Sequence, residues 1–222
     1  MNLTSADIID AICRQDLEAV AELLRQQPTL ASSRDENGIS AFLWASYTKQ
    51  AAVRDLLRAA LPSLDVFEAI AAGDDSRALD LLAAQPALAN AWSGDGFSPL
   101  HFAGFFSRPV VVERLLRMGA DPAAEARNPM RVTPLHSAVS ARCFEVCRLL
   151  LERGAPPDAG QQHGWTALMS AGMQGDLELA ELLLAHGATP GPKDDEGRTA
   201  ADMAAEKGHA ALAAKLRPPA AV

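Results

Sequence analysis

The stretch Arg131-Val132-Thr133-Pro134-Leu135-His136 decides how this chain folds. Thr followed by Pro is a compact helix start. The hydroxyl accepts from an otherwise unpaired N–H of the first turn, and Pro stands where no N–H is needed. Similar starts recur as Gly96-Phe97-Ser98-Pro99-Leu100-His101, Gly164-Trp165-Thr166-Ala167-Leu168 and Gly197-Arg198-Thr199-Ala200-Ala201. A weaker copy is Gly38-Ile39-Ser40-Ala41-Phe42-Leu43. The copies at 131, 164 and 197 lie 33 residues apart. Self-similarity at such a period marks a repeat array, whose units bury their apolar faces only by stacking on neighbours.

Each start is followed by a short first helix, about Pro99 to Phe106 in the fourth copy. Gly175-Asp176 and Gly208-His209 then turn the chain. A second helix follows with apolar residues at helical spacing, such as Leu179, Leu182 and Leu183. It ends at Gly119, Gly154 or Gly187, where a left-handed residue is wanted. The first half holds a second periodicity: residues 7–45 align with 65–103 at an offset of 58, pairing Asp16 with Asp74, Gln27-Pro28 with Gln85-Pro86 and Gly38 with Gly96. A two-repeat unit duplicated in tandem explains it. The expected domain is 1–222, one array of seven helix pairs near 3–34, 35–62, 63–93, 94–128, 129–161, 162–194 and 195–218.

Composition agrees. The 222 residues are 49% hydrophobic but only 5% aromatic, and about a fifth are Ala. Ala and Leu suit thin, closely packed helices; a strand-rich sandwich wants Val, Ile, Thr and aromatics. The net charge of -8 argues against a nucleic-acid partner. No apolar run is long enough to span a membrane. Cys13, Cys143 and Cys147 are an odd number without metal-type spacing, which suits a reducing compartment. Met1 to Ala11 contains Asp7 and Asp10 and no basic residue, unlike a signal peptide. Thr4, Ser5 and Asp7 are expected to start a polar capping helix, and Arg217-Pro218-Pro219 to stop the last one before a loose Ala220 to Val222, so the array reads as complete.

On these residues the sequence resembles the ankyrin-repeat family. Thr-Pro-Leu-His occurs once, Ser-Pro-Leu-His once, and Gly-Asp-Leu-Glu, Gly-Ala-Asp-Pro and Gly-Ala-Thr-Pro accompany them. The resemblance implies an all-α solenoid of stacked helix–turn–helix pairs, with β-hairpin-like loops projecting as fingers. It also implies that partners bind the fingers and the concave side of the first helices. Three departures stand out. Arg131 replaces the finger Gly, the connection before the fifth repeat is about two residues longer than its neighbours, and Leu61-Pro62-Ser63-Leu64 is too short for a finger.

Catalytic and metal chemistry find little support. His101 and His136 occupy the Leu-His position, where a buried ring is expected to bond backbone and cap hydroxyl. His209 reads as a turn post, and His163 and His186 as surface residues. Cys147 falls on an apolar helix slot, and Cys143 and Cys147 lack the further ligands a metal would need. Runs such as Asp194-Asp195-Glu196 belong in solvated turns. Neither a phosphate loop nor a nucleophile elbow occurs. The expectation is a non-enzyme with no cofactor, catalytic or metal site.

The repeat register instead points to a binding surface. The residue after the finger Gly is Ile39, Phe97, Val132, Trp165 or Arg198, and the first helices end Tyr47-Thr48, Phe105-Phe106, Ser140-Ala141, Met173-Gln174 and Glu206-Lys207. In the family these slots face the partner. Tyr47, Phe97, Phe105, Phe106, Trp165 and Met173 would form an apolar stripe, with Arg108 and Arg131 as polar anchors. Against this, Trp165 and Phe97 have neighbouring fingers to pack on, Tyr47 has the gap of the missing finger to fill, and adjacent Phe105 and Phe106 cannot both face outward. Three or four exposed aromatics of roughly 150–250 Å² would still supply most of one side of a standard interface of about 800 Å². The expected function is a cytoplasmic, non-catalytic scaffold or adaptor that binds another protein. The alternative is a regulatory or stabilising subunit, or an inhibitor, of a particular enzyme; a third class is a small-molecule-binding or catalytic repeat protein. A monomer is expected, with a homodimer through the stripe as the other option. The Arg-over-Lys bias and Ala content suggest a bacterial source.

Overall fold

The computed structural model describes residues 3–217. Among these residues the regular elements are fourteen α-helices, joined by turns and three short 3-10 segments, with no strand. The helices come in consecutive pairs: α1 (Ser5–Cys13) with α2 (Leu17–Gln26), α3 (Ala41–Tyr47) with α4 (Ala51–Ala60), and α5 (Val66–Ala72) with α6 (Asp75–Ala84). Then come α7 (Pro99–Phe105) with α8 (Pro109–Arg117), α9 (Pro134–Ser140) with α10 (Phe144–Glu152), α11 (Ala167–Gln174) with α12 (Leu177–Ala185), and α13 (Ala200–Glu206) with α14 (Ala210–Leu216).

Contacts group the chain into two compact units, one ending at Gly96 and the other starting at Phe97. In the first, α1 packs on α3 and α3 on α5, while α2 packs on α4. In the second, the first helices α7, α9, α11 and α13 stack in order and the second helices α8, α10 and α12 form a layer behind them. Each unit has its own core. Ile8, Ile12, Phe42, Leu57, Leu64, Ile70 and Leu82 are fully buried in the first, and Leu100, Leu115, Leu135, Leu150 and Leu168 in the second. Ala45, Ala69, Ala103, Ala138 and Ala204 are completely buried between helices, which is where the alanine content goes. A side chain of one carbon lets neighbouring helix axes come close without leaving voids.

The local signals act as their chemistry demands. Ser40, Ser98, Thr133, Thr166 and Thr199 are all N-caps, with Pro99 and Pro134 as the first residues of their helices. At the N-terminus Thr4 caps α1, and the Asp7 carboxylate accepts from both its N–H (2.7 Å) and its hydroxyl (2.8 Å). Gly119, Gly154 and Gly187 follow the second helices at φ +84°, +86° and +94°, the left-handed region where a Cβ would be strained. The offset of 58 is reproduced element by element. α2 matches α6, α3 matches α7, and a 3-10 segment at Pro28–Ser32 matches one at Pro86–Asn90. These 3-10 segments were not foreseen from sequence, although the repeated Gln-Pro was their signal. The fourth copy's first helix also stops one residue early, at Phe105, with Phe106 as its C-cap.

The fingers are tight turns closed by backbone bonds. Asp35 N–H donates to Ile39 O (2.9 Å), Gln161 to Trp165 (2.9 Å) and Asp194 to Arg198 (3.0 Å). The finger before α9 closes from Ala126 to Val132 (2.8 Å), two residues wider, as its longer connection requires. Arg131 there takes φ +51°, doing with a side chain what Gly197 does at +78°. Between α4 and α5 only Leu61 to Asp65 intervene and no finger forms. Within the second unit, Gln162 N–H donates to Met130 O (2.9 Å) and Asp195 N–H to His163 O (3.1 Å), lacing successive fingers together. Residues from Pro218 on, including the predicted stop, lie outside the described residues.

Candidate protein-binding surface

Two buried histidines fix the first helices that present the surface. His101 Nδ1 accepts from Ser98 N–H (3.2 Å) and contacts its hydroxyl at 2.8 Å. Because a backbone N–H donates to Nδ1, the neutral ring carries its proton on Nε2, which donates to Val132 O at 3.0 Å. His101 therefore ties the start of α7 to the finger leading into α9. His136 repeats the cap contacts with Thr133 N–H (3.1 Å) and hydroxyl (2.9 Å), but its buried Nε2, unlike that of His101, makes no hydrogen bond among the described residues. Burial drives both rings from the ordinary 6.5 down to about 4, so both are neutral at pH 7. They are structural posts, as the sequence implied. His209 is another: its ring fills the space where a Cβ on Gly175 would lie. His163 and His186 are exposed, and His163 Nδ1 meets Asp195 Oδ2 at 2.9 Å.

The predicted surface residues fall into three groups. Tyr47, Phe97 and Trp165 are half-buried and engaged. The Tyr47 hydroxyl donates to Asp95 Oδ2 at 2.6 Å, and burial together with that carboxylate raises its pKa. Phe97 packs against His101 (5.8 Å between ring centroids) and edge-on to Phe102 (6.5 Å). Trp165 Nε1–H donates to Ser170 Oγ at 2.7 Å. In the second group, exposed Arg131 is held by Glu125 at 2.9 Å beside its own finger, and Arg108 caps α8, half-buried.

The third group stays open. Phe105 is 43% exposed and Met173 39%. They occupy the same register position at the ends of α7 and α11, and the equivalent Ser140 of α9 and Glu206 of α13 are exposed too. Phe106 lies behind Phe105, with ring centroids 5.1 Å apart and planes at 87°, and also contacts Phe102 at 6.0 Å. The edge-to-face pair holds Phe105 in place while leaving its outer face in water. Thus Phe105, Phe106 and Met173 belong to one row of stacked helix ends in the second unit, while Tyr47 is in the first. Exposed Met130, Val110 and Leu177, and the exposed turn cations Arg142 and Lys207, were missed by sequence reasoning. Arg142 was visible in principle, because it stands where Gly175 and Gly208 stand in the following copies.

Other chemistry is sparse. Burial pushes the Cys147 thiol up to about 12, so it is protonated and unreactive at neutral pH, whereas Cys143 is half-buried and Cys13 exposed. A shallow cleft of about 460 Å³ in the first unit is lined by Phe42, Arg54, Asp55, Arg58 and the turn Ala72-Gly73-Asp74. Its two guanidinium and two carboxylate groups balance, and Arg58 lies 3.9 Å from Asp74. Among the described residues, no group of three metal-type side chains converges, and no helix is long and apolar enough to cross a membrane.

Stacked helix pairs, Ser/Thr-Pro caps, His posts and turn fingers are matched by comparison with known proteins. Residues 66–161 and 153–220 fit the family model described as ankyrin repeats in three copies. The chain belongs to the ankyrin-repeat family. Over 81 residues, 35% of this chain, it is 48% identical to neurogenic locus notch homolog protein 4 of Homo sapiens, of which that segment is 4%. Over 90 residues, 39% of this chain, it is 37% identical to the B-cell lymphoma 3 protein homolog of Mus musculus, covering 20% of that protein. A 79-residue segment, 35% of this chain, is 37% identical to 7% of glycerophosphocholine phosphodiesterase gde1 of Schizosaccharomyces pombe. The alignments thus span from 4% to 20% of these relatives, so the likeness is to their repeat segments. Ankyrin repeats are generally protein–protein interaction modules, and the family is typically non-catalytic.

Proposed function

We propose that this chain is a non-catalytic scaffold or adaptor that binds another protein through the first-helix ends and fingers. The observation that carries this is the outward-facing Phe105 on its Phe106 support, with Met173 at the equivalent position two helices on. A preordered surface of this kind loses little conformational entropy on docking. Aromatic residues and Arg are also the usual anchors of interfaces. Tyr47, Phe97, Trp165 and Arg131 serve this surface chiefly by fixing its frame, since each already has structural work within its unit, and Arg108 stands beside it at the N-cap position of α8. The second reading is a regulatory or stabilising subunit, or an inhibitor, of one enzyme; the same surface would then cover that enzyme.

Residues 1–222 are taken as a single ankyrin domain with repeats at the seven intervals given above, each of which holds one helix pair. The chain is taken to work in the cytoplasm of a bacterium, as a monomer, with no nucleic-acid or membrane partner. Support comes from the free cysteines, the acidic balance and the Arg-rich, Ala-rich composition.

The experiment is immobilisation of the chain, exposure to extract of its own host, and mass spectrometry of what is retained. One protein held in near-equal amount is the expected result. Retention of a small molecule with no protein would overturn the reading. If the retained protein is an enzyme whose activity changes on addition of the chain, the regulatory reading replaces the scaffold.

A further inference from the structure

We propose that the cleft of the first unit, between α4 and the turn Ala72-Gly73-Asp74, binds a small oxyanion, a phosphate or carboxylate group, on Arg54. The site goes beyond the protein-binding reading and does not depend on it. The repeat register singles out Arg54. It is the fourth residue after Gln50, the N-cap of its second helix. The same slot holds Val20, Ala78, Val112, Cys147, Ala180 and Ala213 in the other six pairs, and all six are buried. Small apolar side chains in this slot fill the core. A guanidinium does not, and an unpaired charge is strongly disfavoured out of water.

Around Arg54 the second helices part. α2 packs on α4, and in the second unit α8 packs on α10 and α10 on α12, but α4 makes no comparable contact with α6. The cleft of about 460 Å³ lies on this side of α4, with Phe42 in its lining, and is of a size that suits a small ligand. Arg54 is half-buried in that lining. Its buried Nε has no hydrogen-bond partner, and the side chain forms no ion pair among the described residues. A guanidinium carries donors only, so what completes this one is an acceptor. Phosphate and carboxylate groups offer paired oxygens that match its fork.

The acids of the cleft do not supply that acceptor. Asp74 caps α6, accepting from Arg77 N–H at 3.0 Å through Oδ1, and its Oδ2 lies 3.9 Å from Arg58. Asp55 is exposed and, as the next residue of α4, projects about 100° round the helix axis from Arg54. The charges of the cleft balance, so the anion is held by directed donors on Arg54 rather than by a net positive field.

The test is titration calorimetry of the intact chain with inorganic phosphate and, separately, with citrate, at pH 7 and constant ionic strength. Saturable binding of one ion per chain is expected from at least one of them. Binding of phosphate alone assigns the site to phosphate groups, and binding of citrate alone to carboxylates. Arg54→Val should weaken binding at least roughly tenfold, because a charge-assisted pair is lost. The same variant should melt higher than wild type in plain buffer, because it fills the slot as Val20 and Val112 do. Arg54→Gln keeps polarity without charge; it should lose binding equally, and it decides the matter if Arg54→Val does not fold. Asp55→Asn should leave binding as tight or tighter. The proposal is overturned if neither ion saturates the chain, or if folded Arg54→Val or Arg54→Gln binds as wild type does. Weaker binding by Asp55→Asn also overturns it, since the cleft would then be holding the cation of its ligand. Absence of binding together with a lower melting temperature for Arg54→Val identifies a purely structural arginine and removes the site.

Discussion

Acidification from pH 6.5 to 4 is expected to destabilise the second unit by on the order of 3 kcal/mol for each of His101 and His136. Both rings are buried neutral, with pKa lowered from 6.5 to about 4 chiefly by loss of hydration. Below pH 6.5 the unfolded chain takes up protons that the folded one refuses. The unfolded state then binds more protons, so stability rises with pH through this window. It is fully present above 6.5 and is lost as pH falls towards 4. Two such losses rival the whole stability of an ordinary domain, about 5–15 kcal/mol. All five histidines lie at His101 or beyond, so the first unit has none to titrate. Urea unfolding at pH 7, 6 and 5, followed by hydrogen exchange, should show protection falling in residues 97–217 well before residues 3–96. Equal protection of the second unit at pH 7 and 5 would contradict the buried-neutral assignment. Carboxylates held low by arginines, such as Glu125 beside Arg131, lose their contribution only at still lower pH.

Gly172→Ala is expected to destabilise the protein, although helix propensity alone predicts the reverse. In the middle of a helix Ala is favoured over Gly by about 1 kcal/mol. At this position a Cβ would stand 2.5 Å from Ala200 O and 3.4 Å from Ala200 C, backbone atoms of α13 that cannot rotate away. α11 and α13 pack closely because residue 172 has no side chain. Overpacking of this kind costs about 1–3 kcal/mol and occasionally more, enough to outweigh the propensity gain. A lower melting temperature is the expected outcome; a higher one would mean that α13 is free to move. Gly104 plays the same part against Pro134 O, where the Cβ would lie at 2.9 Å.

These two predictions rest on features that differ in how far sequence reveals them. The helix starts were legible because Ser98-Pro99 and Thr133-Pro134 act locally, through caps spanning three residues. The left-handed Gly119, Gly154 and Gly187 were legible for the same reason, and the short Leu61–Leu64 link and the long finger before α9 could be read by counting. The binding row was legible as a set of register positions but not as exposures. Tyr47 is held by Asp95, 48 residues on, and Phe97 by the later residues His101 and Phe102. Which neighbour claims an aromatic ring depends on packing that the register cannot supply. Arg142 carries a signal of its own in the sequence, its register with Gly175 and Gly208, which an aromatic-based reading does not use.

The central claim is that the chain binds a protein through the first-helix ends of its second unit. The direct measurement is parallel capture from host extract on immobilised wild-type chain, Phe105→Asp and Arg114→Ala, the last on the exposed face of second helix α8, with retained protein quantified. Wild type and Arg114→Ala should hold the same partner in near-equal amount, and Phe105→Asp should hold less by at least roughly tenfold. Equal retention by folded Phe105→Asp and wild type would contradict the claim.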